Sequence, residues 1–232
     1  MGKGNLKNRS KNVRFIVASF SIFLPQYFKR LLLVKLLGYE IHSSARIGKS
    51  LIYPKHLIMG ENSRIGNLTL CKGLSLLKVG AYGIIGNLNW ITAVPIEAKA
   101  FGDEEGRRPE LLVGRHSAIT NRHLIDCCNL VEIGEFTTFA GFRSQILTHA
   151  IDLKDSKQRS SPVSIGDYCF VSTSVTLLSG SKLPSFCVLG ASACLTETYE
   201  QENFLYGGVP AKPIKLLSQD NEYFKRKEGF VL

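Results

Sequence analysis

The chain has 232 residues, 44% of them hydrophobic and 21% charged, with 21 Gly and 8 Pro. This is a globular composition and excludes a disordered chain. The formal net charge is +10, and the excess is concentrated in residues 1–39, which carry eight Lys or Arg and no Asp or Glu; such a segment points toward an anionic surface.

The first forty residues read as a basic tail leading into a helical cap. Residues 15–24 are apolar, but a bilayer span needs about 20 such residues, and no small-residue cleavage site follows. One or two amphipathic helices are expected over residues 13–37. Ile16, Ser19, Phe20, Phe23, Leu24 and Phe28 share a face there, flanked by Arg14, Lys29 and Arg30. Two roles fit this face: covering the open end of a repeat array, or lying in a membrane interface. Nucleic acid is not an expected partner, because the charge sits on the tail and not along the domain.

From Ile41 onward the pattern changes to a period of six. Ile41 and Ile47 open it, and Ile52 and Ile58 resume it after a one-residue slip. Val79, Ile85 and Ile91 follow, then Val113, Ile119, Ile125 and Val131. Ile133 and Phe139 continue, with Gln145 as an off-type member. The last run is unbroken: Ile165, Val171, Leu177, Leu183, Leu189 and Leu195. Helices repeat apolar residues at three, four and seven, and strands at two. A period of six instead means a short strand plus a tight corner, and three such sides close a coil of 18 residues. Each coil bonds to its neighbours, so stability is collective. The predicted fold is an all-β parallel β-helix over residues 41–216, with a helical cap over 1–40 and a short helix and tail over 217–232.

Residues 92–111, with Pro95, Gly102, Gly106, Arg107, Arg108 and Pro109, and the polar residues 150–162 break the period; both are expected to be loops leaving the prism, where function collects. Trp90 and Tyr82 read as packing residues. The six cysteines show no CxxC spacing, which fits free thiols in the cytoplasm and argues against a zinc site. Cys169 and Cys187, 18 residues apart, are expected to stack on successive coils.

One order of motifs is specific. Thr148-His149-Ala150-Ile151-Asp152 precedes the second loop, and Pro162-Val163-Ser164-Ile165-Gly166-Asp167 follows it. Three clean coils come next, then Tyr206-Gly207-Gly208-Val209-Pro210-Ala211-Lys212. This resembles the hexapeptide-repeat acyltransferases, and most of all the bacterial polysaccharide and sugar O-acetyltransferases. The resemblance implies a left-handed parallel β-helix of hexapeptide repeats, against the usual crossover hand. It also implies acetyl-CoA as co-substrate without a metal, a sugar or lipid-linked saccharide as acceptor, and a homotrimer with sites in the grooves between subunits. The location implied is the cytoplasm or the inner face of the cytoplasmic membrane.

The resemblance makes His149 the general base, a task suited to an imidazole that is largely unprotonated near neutrality. Asp152, or a backbone carbonyl, is expected to hold its other ring nitrogen. Asn121, Arg122, His123 and Asp126 are expected beside the acceptor. Thr173, Gly180, Ala191, Ser192 and Thr196 fall on the donor side, and Lys212 matches the basic residue that meets CoA phosphates. An oxyanion donor is expected near Gly141 or Ser144. The chain departs from the family in having Glu197 where Lys is common. Rival readings are N-acetylation of an amino sugar and a non-catalytic scaffold or binding protein; a metal-binding version would draw on His116, His123 and His149.

Overall fold

The computed structural model describes residues 11–102 and 104–229. The basic stretch 1–10 and the end of the predicted tail lie outside these residues. Strands of two to four residues stack in parallel into three flat faces. The first face begins at Glu40–Ile41, the second at Arg46–Ile47 and the third at Leu51–Tyr53.

The register turns the hexads into three columns of inward side chains. Ile41, Met59, Val79, Val113, Ile133, Ile165 and Leu183 stack on the first face. Ile47, Ile65, Ile85, Ile119, Phe139, Val171 and Leu189 stack on the second, closed by Tyr206. Ile52, Cys71, Ile91, Ile125, Ile146, Leu177 and Leu195 stack on the third. All are buried, and each large one contributes about 1.5–3 kcal/mol of hydrophobic stabilisation. Two predicted members face the other way. Leu57 and Met59 point inward, not Ile58, and Ile146 points inward, not Gln145. Extra residues at the preceding corners shift the alternation by one, and a shift of one reverses every side chain.

The corners carry the cost of tight turning. Asn62, Tyr82, His116, Phe136, Tyr168, Phe186 and Asn203 turn the first face into the second, each with φ between 51° and 61°. A left-handed backbone costs a residue with a Cβ roughly 1–2 kcal/mol. Here the turning residues stack as they recur: rings of Tyr82, His116, Phe136, Tyr168 and Phe186 lie nearly parallel, with centroids 4.8–5.3 Å apart. Coils approach closely beside this ladder. A Cβ on Gly114 would stand 2.4 Å from the Gly134 carbonyl oxygen, so only glycine fits there. Cys169 and Cys187 are buried free thiols.

Both ends of the prism are covered. Helices α1 (Lys11–Ser21) and α2 (Gln26–Leu37) form the cap at the first coil. Ala18, Leu33 and Leu37 are buried against it. The cap also satisfies backbone that has no coil beneath it. Buried Lys29 donates from Nζ to the carbonyls of Ile47 at 3.0 Å and Gly48 at 2.7 Å. Gln26 donates to Ala45 O and accepts from Ile47 N, and Arg14 donates to Lys55 O at 2.8 Å. At the other end, strand Phe204–Gly207 pairs with Val188–Leu189 and folds back antiparallel onto Lys212–Leu216. Helix α3 (Glu222–Lys225) then lies along the aromatic ladder, with Phe224 edge-on to Phe186.

Candidate active site

The corner between the third and first faces is where the period fails. Residues 93–109 leave it after strand Trp90–Thr92. One coil on, Cys127 to Asn129 make a short buried turn. The next coil sends out the segment predicted as a loop, and it is a β-hairpin: His149–Asp152 pairs antiparallel with Lys157–Ser160, placing His149 opposite Ser160. The two excursions therefore flank the turn that follows Asp126.

That arrangement brings Asp126 to His149. Its Oδ2 accepts from Nδ1 of His149 at 2.7 Å, although the residues are 23 apart in sequence. The same carboxylate accepts from the N–H of Thr148 at 2.9 Å, from Thr148 Oγ1 at 2.9 Å and from the N–H of Cys128 at 3.1 Å. Burial works against ionisation of Asp126, but the hydrogen bonds from Cys128, His149 and Thr148 outweigh it and hold the carboxyl below its ordinary range. An ionised acceptor on Nδ1 fixes the neutral tautomer with its proton there. Nε2 is left as a basic nitrogen on a side chain that is 37% exposed.

A second layer fixes the ring. Phe101 meets the imidazole edge-on, with centroids 5.8 Å apart. Arg107 lies 4.3 Å from the Phe101 centroid and is buried. Its guanidinium donates to the carbonyls of Val94 at 2.7 Å, Pro95 at 2.8 Å and Cys128 at 3.0 Å. Glu104 accepts from the N–H and hydroxyl of Ser160, both at 2.9 Å. Residues 92–111 are thus bound to the hairpin that carries His149. Nothing in that aperiodic segment marks Phe101, Glu104 or Arg107 as site residues.

Several sequence expectations are corrected. Asp152 does not hold His149; it is exposed and accepts from the N–H of Lys154. Asp126 is not open to an acceptor, because its oxygens are taken by the donors above. His123 is buried and closed off: Nδ1 accepts from Ser144 N at 3.3 Å, and Nε2 pairs with Thr120 Oγ1 at 3.0 Å. Burial pushes its pKa down to about 4. The Ser144 N–H, spent on His123, is not available as an oxyanion donor. Asn121 belongs to a ladder in which each Asn Oδ1 accepts from the coil before: Asn67 from Lys49 N, Asn87 from Asn67 N, and Asn121 from Asn87 N at 2.6 Å. His116, His123 and His149 stand at three different corners, so they form no common metal site.

Asp126, Cys128 and His149 do offer ligand atoms within 4.8 Å of one another. The Cys128 thiol, however, is pushed up to about 12 by burial and by Asp126, and its sulfur accepts from Val94 N at 3.3 Å. The donor atoms of this cluster are thus engaged in hydrogen bonds within the chain, with Asp126 and His149 paired as a dyad.

The donor-side residues divide between edges. Gly180 lies at the corner of His149, where its N–H donates to Pro162 O at 3.1 Å. Thr173, Ala191 and Ser192 lie at the corner between the second and third faces, as does Arg122 from the acceptor set, with Arg122, Ala191 and Ser192 exposed. The Thr173 hydroxyl bonds to the Phe142 peptide. Thr196 is half-buried beyond the last strand of the third face. Lys212 is exposed at the start of the final strand and pairs with Glu197 at 3.1 Å. Within one chain these residues do not converge on His149.

No protein-family model and no curated protein matches this chain. Solved structures do. The polysialic acid O-acetyltransferase OatWY aligns with TM-score 0.53 at 16% identity, over 77% of this chain and 84% of its own. A hexapeptide-repeat containing acetyltransferase from Vibrio cholerae aligns with TM-score 0.49 at 14% identity, over 91% and 94%. The N-acyltransferase AntD from Bacillus cereus, solved with dTDP and coenzyme A, aligns with TM-score 0.46 at 15% identity, over 80% and 91%. The fold shared with the first is the left-handed parallel β-helix of hexapeptide repeats.

Proposed function

We propose that this protein transfers an acetyl group from acetyl-CoA to a sugar hydroxyl of a surface-polysaccharide precursor, with His149 as general base and Asp126 as the residue that positions it. The observation that carries this reading is the 2.7 Å contact from Asp126 to His149 Nδ1, which turns Nε2 outward. Nε2 takes the proton from the acceptor hydroxyl as its oxygen attacks the thioester carbonyl. The tetrahedral oxyanion collapses, the C–S bond breaks, and the departing thiolate recovers the proton from the imidazolium. A base placed in this way accounts for about 10²–10⁴ in rate. The acetylated product is an ester, and the dyad returns to its starting state.

A second copy of the chain completes the site in this reading. Thr173, Ala191 and Ser192 stand on a different prism edge from His149, so the donor arm reaches the base only where two protomers set unlike edges together. A cyclic homotrimer supplies three such grooves. Exposed Ala191 and Ser192 and the cationic Lys212 suit a pantetheine arm and a phosphate, respectively. A polysaccharide acceptor agrees with the activity named for OatWY, which shares the fold. The reaction is placed in the cytoplasm, where acetyl-CoA is available.

The test is CoA thiol release by the full-length protein with acetyl-CoA and a panel of sugars, with acetylated products read by mass. Sugar-dependent release that disappears in His149→Ala is expected. Modification only at the nitrogen of amino sugars would replace the O-transfer reading. Absence of acetyl-CoA binding by calorimetry would leave a scaffold.

A further inference from the structure

We propose that the α1–α2 cap docks this protein on an anionic lipid surface, with Arg30, Arg46 and Arg64 receiving lipid phosphate. The inference does not depend on the transferase reading. Capping the first coil uses only part of the apolar surface of the hairpin. Ile16, Phe20, Phe23, Tyr27 and Phe28 all remain exposed, with Phe23 at the tip 81% accessible. Five large apolar side chains on one short hairpin exceed what covering the prism requires. None of the described helices is long and apolar enough to cross a bilayer, so an interfacial position suits this face.

The charges identify the surface. Residues 1–39 hold eight cations and no acid. Beside the aromatic face, and sharing Tyr27 with it, lies a groove of about 600 Å³ lined by Arg30, Ser44, Arg46, Asn62 and Arg64. Arg46 and Arg64 are directly paired in register on the second face, an arrangement of like charges that is unfavourable by itself and that a bound anion would relieve. Among the described residues, none of the three arginines joins any ion pair. Lys29 close by is already committed to backbone carbonyls. Guanidinium groups match phosphate oxygens in a bidentate geometry. Aromatic side chains for the headgroup boundary and free guanidinium groups for its phosphates therefore occupy one end of the prism.

The full-length protein is sedimented with vesicles of phosphatidylcholine alone or mixed with phosphatidylglycerol, at low and high salt. Wild type is expected to pellet with the anionic vesicles at low salt and at least ten-fold less with the neutral ones. The variants Phe20→Ser/Phe23→Ser/Phe28→Ser and Arg46→Glu/Arg64→Glu are each expected to lose at least ten-fold in partitioning, with circular dichroism confirming the fold. Equal binding to both vesicle types overturns the proposal, as does unchanged binding by folded variants. Loss of self-association in the phenylalanine variant without wild-type vesicle binding assigns the face to a second copy. Binding of inorganic phosphate at the arginines without vesicle binding assigns the groove to a soluble anion. Either result overturns the lipid reading.

Discussion

Phe101 stands edge-on to the imidazole of His149, planes 77° apart, and is backed on its own face by the guanidinium of Arg107. The order of support runs from Arg107 to Phe101 to the base. Arg107 is held by the carbonyls of Val94 and Pro95 in its own excursion and of Cys128 in the turn that follows Asp126. Residues 92–111 thus act as a brace for the ring, beyond any role as a covering loop.

The brace predicts a defect in Arg107→Met that exceeds instability. Removing the guanidinium leaves one buried and two part-buried carbonyls without their donor, which costs about 2–4 kcal/mol in denaturant melts. Displacing the ring by about 1 Å lowers kcat by about 10²-fold. Phe101→Leu, which keeps most of the volume, is expected to lower kcat with a smaller loss of stability. Normal turnover in both variants would show that the brace has no bearing on the base.

The dyad makes a sharper claim through its additivity. In Asp126→Asn the carboxylate is lost, the tautomer of His149 is no longer fixed, and kcat falls by about 10²–10⁴. His149→Ala falls at least as far, while its melting temperature stays close to wild type because the side chain is part-exposed. Since Asp126 acts through His149, the double variant should be no slower than His149→Ala alone. Multiplicative losses in the double variant would separate the two residues.

The contrast between Asp126 and Asp152 shows what the sequence reveals. The hexads define three columns of apolar side chains because burial repeats with the coil, and the architecture follows from them. Asp152 is near His149 in sequence, yet the hairpin carries it outward. Asp126 is near in space because strand Leu124–Asp126 pairs with Gln145–Leu147, a coil offset of 21 residues. Counting coils would have placed it two residues short of His149. The brace is not legible by any count: residues 92–111 lack a period, and the contacts that tie them to the site, to Cys128, His149 and Ser160, lie on later coils. Ile58 and Gln145 fit the hexads yet face outward for a related reason, since extra corner residues are invisible until strands are paired.

Lys212 and Glu197 give a prediction about the donor. Their 3.1 Å ion pair is exposed on both sides, and such pairs add little stability. The pair nevertheless occupies the cation proposed to meet a CoA phosphate. Glu197→Ala frees it, and Glu197→Lys adds a second cation. Calorimetry with CoA should show several-fold tighter binding in the first variant and tighter still in the second, with a steeper salt dependence. Unchanged affinity in both would remove Lys212 from the donor site.

His123 sets an acid limit on stability. Burial holds its pKa at about 4 in the folded chain, against roughly 6.5 when unfolded. Between those values the unfolded chain binds a proton that the folded chain refuses. The contribution is therefore complete above pH 6.5 and is lost as pH falls toward 4, by about 3 kcal/mol in all. Its ring nitrogens bond to Ser144 N and Thr120 Oγ1, so a second proton on the ring would break the first of these bonds at the corner between the second and third faces. Urea melts across this range should give a sloping profile for wild type. His123→Gln, less stable at neutral pH, should give a flatter one. Parallel profiles for the two proteins would mean that this imidazole is not what the prism loses in acid.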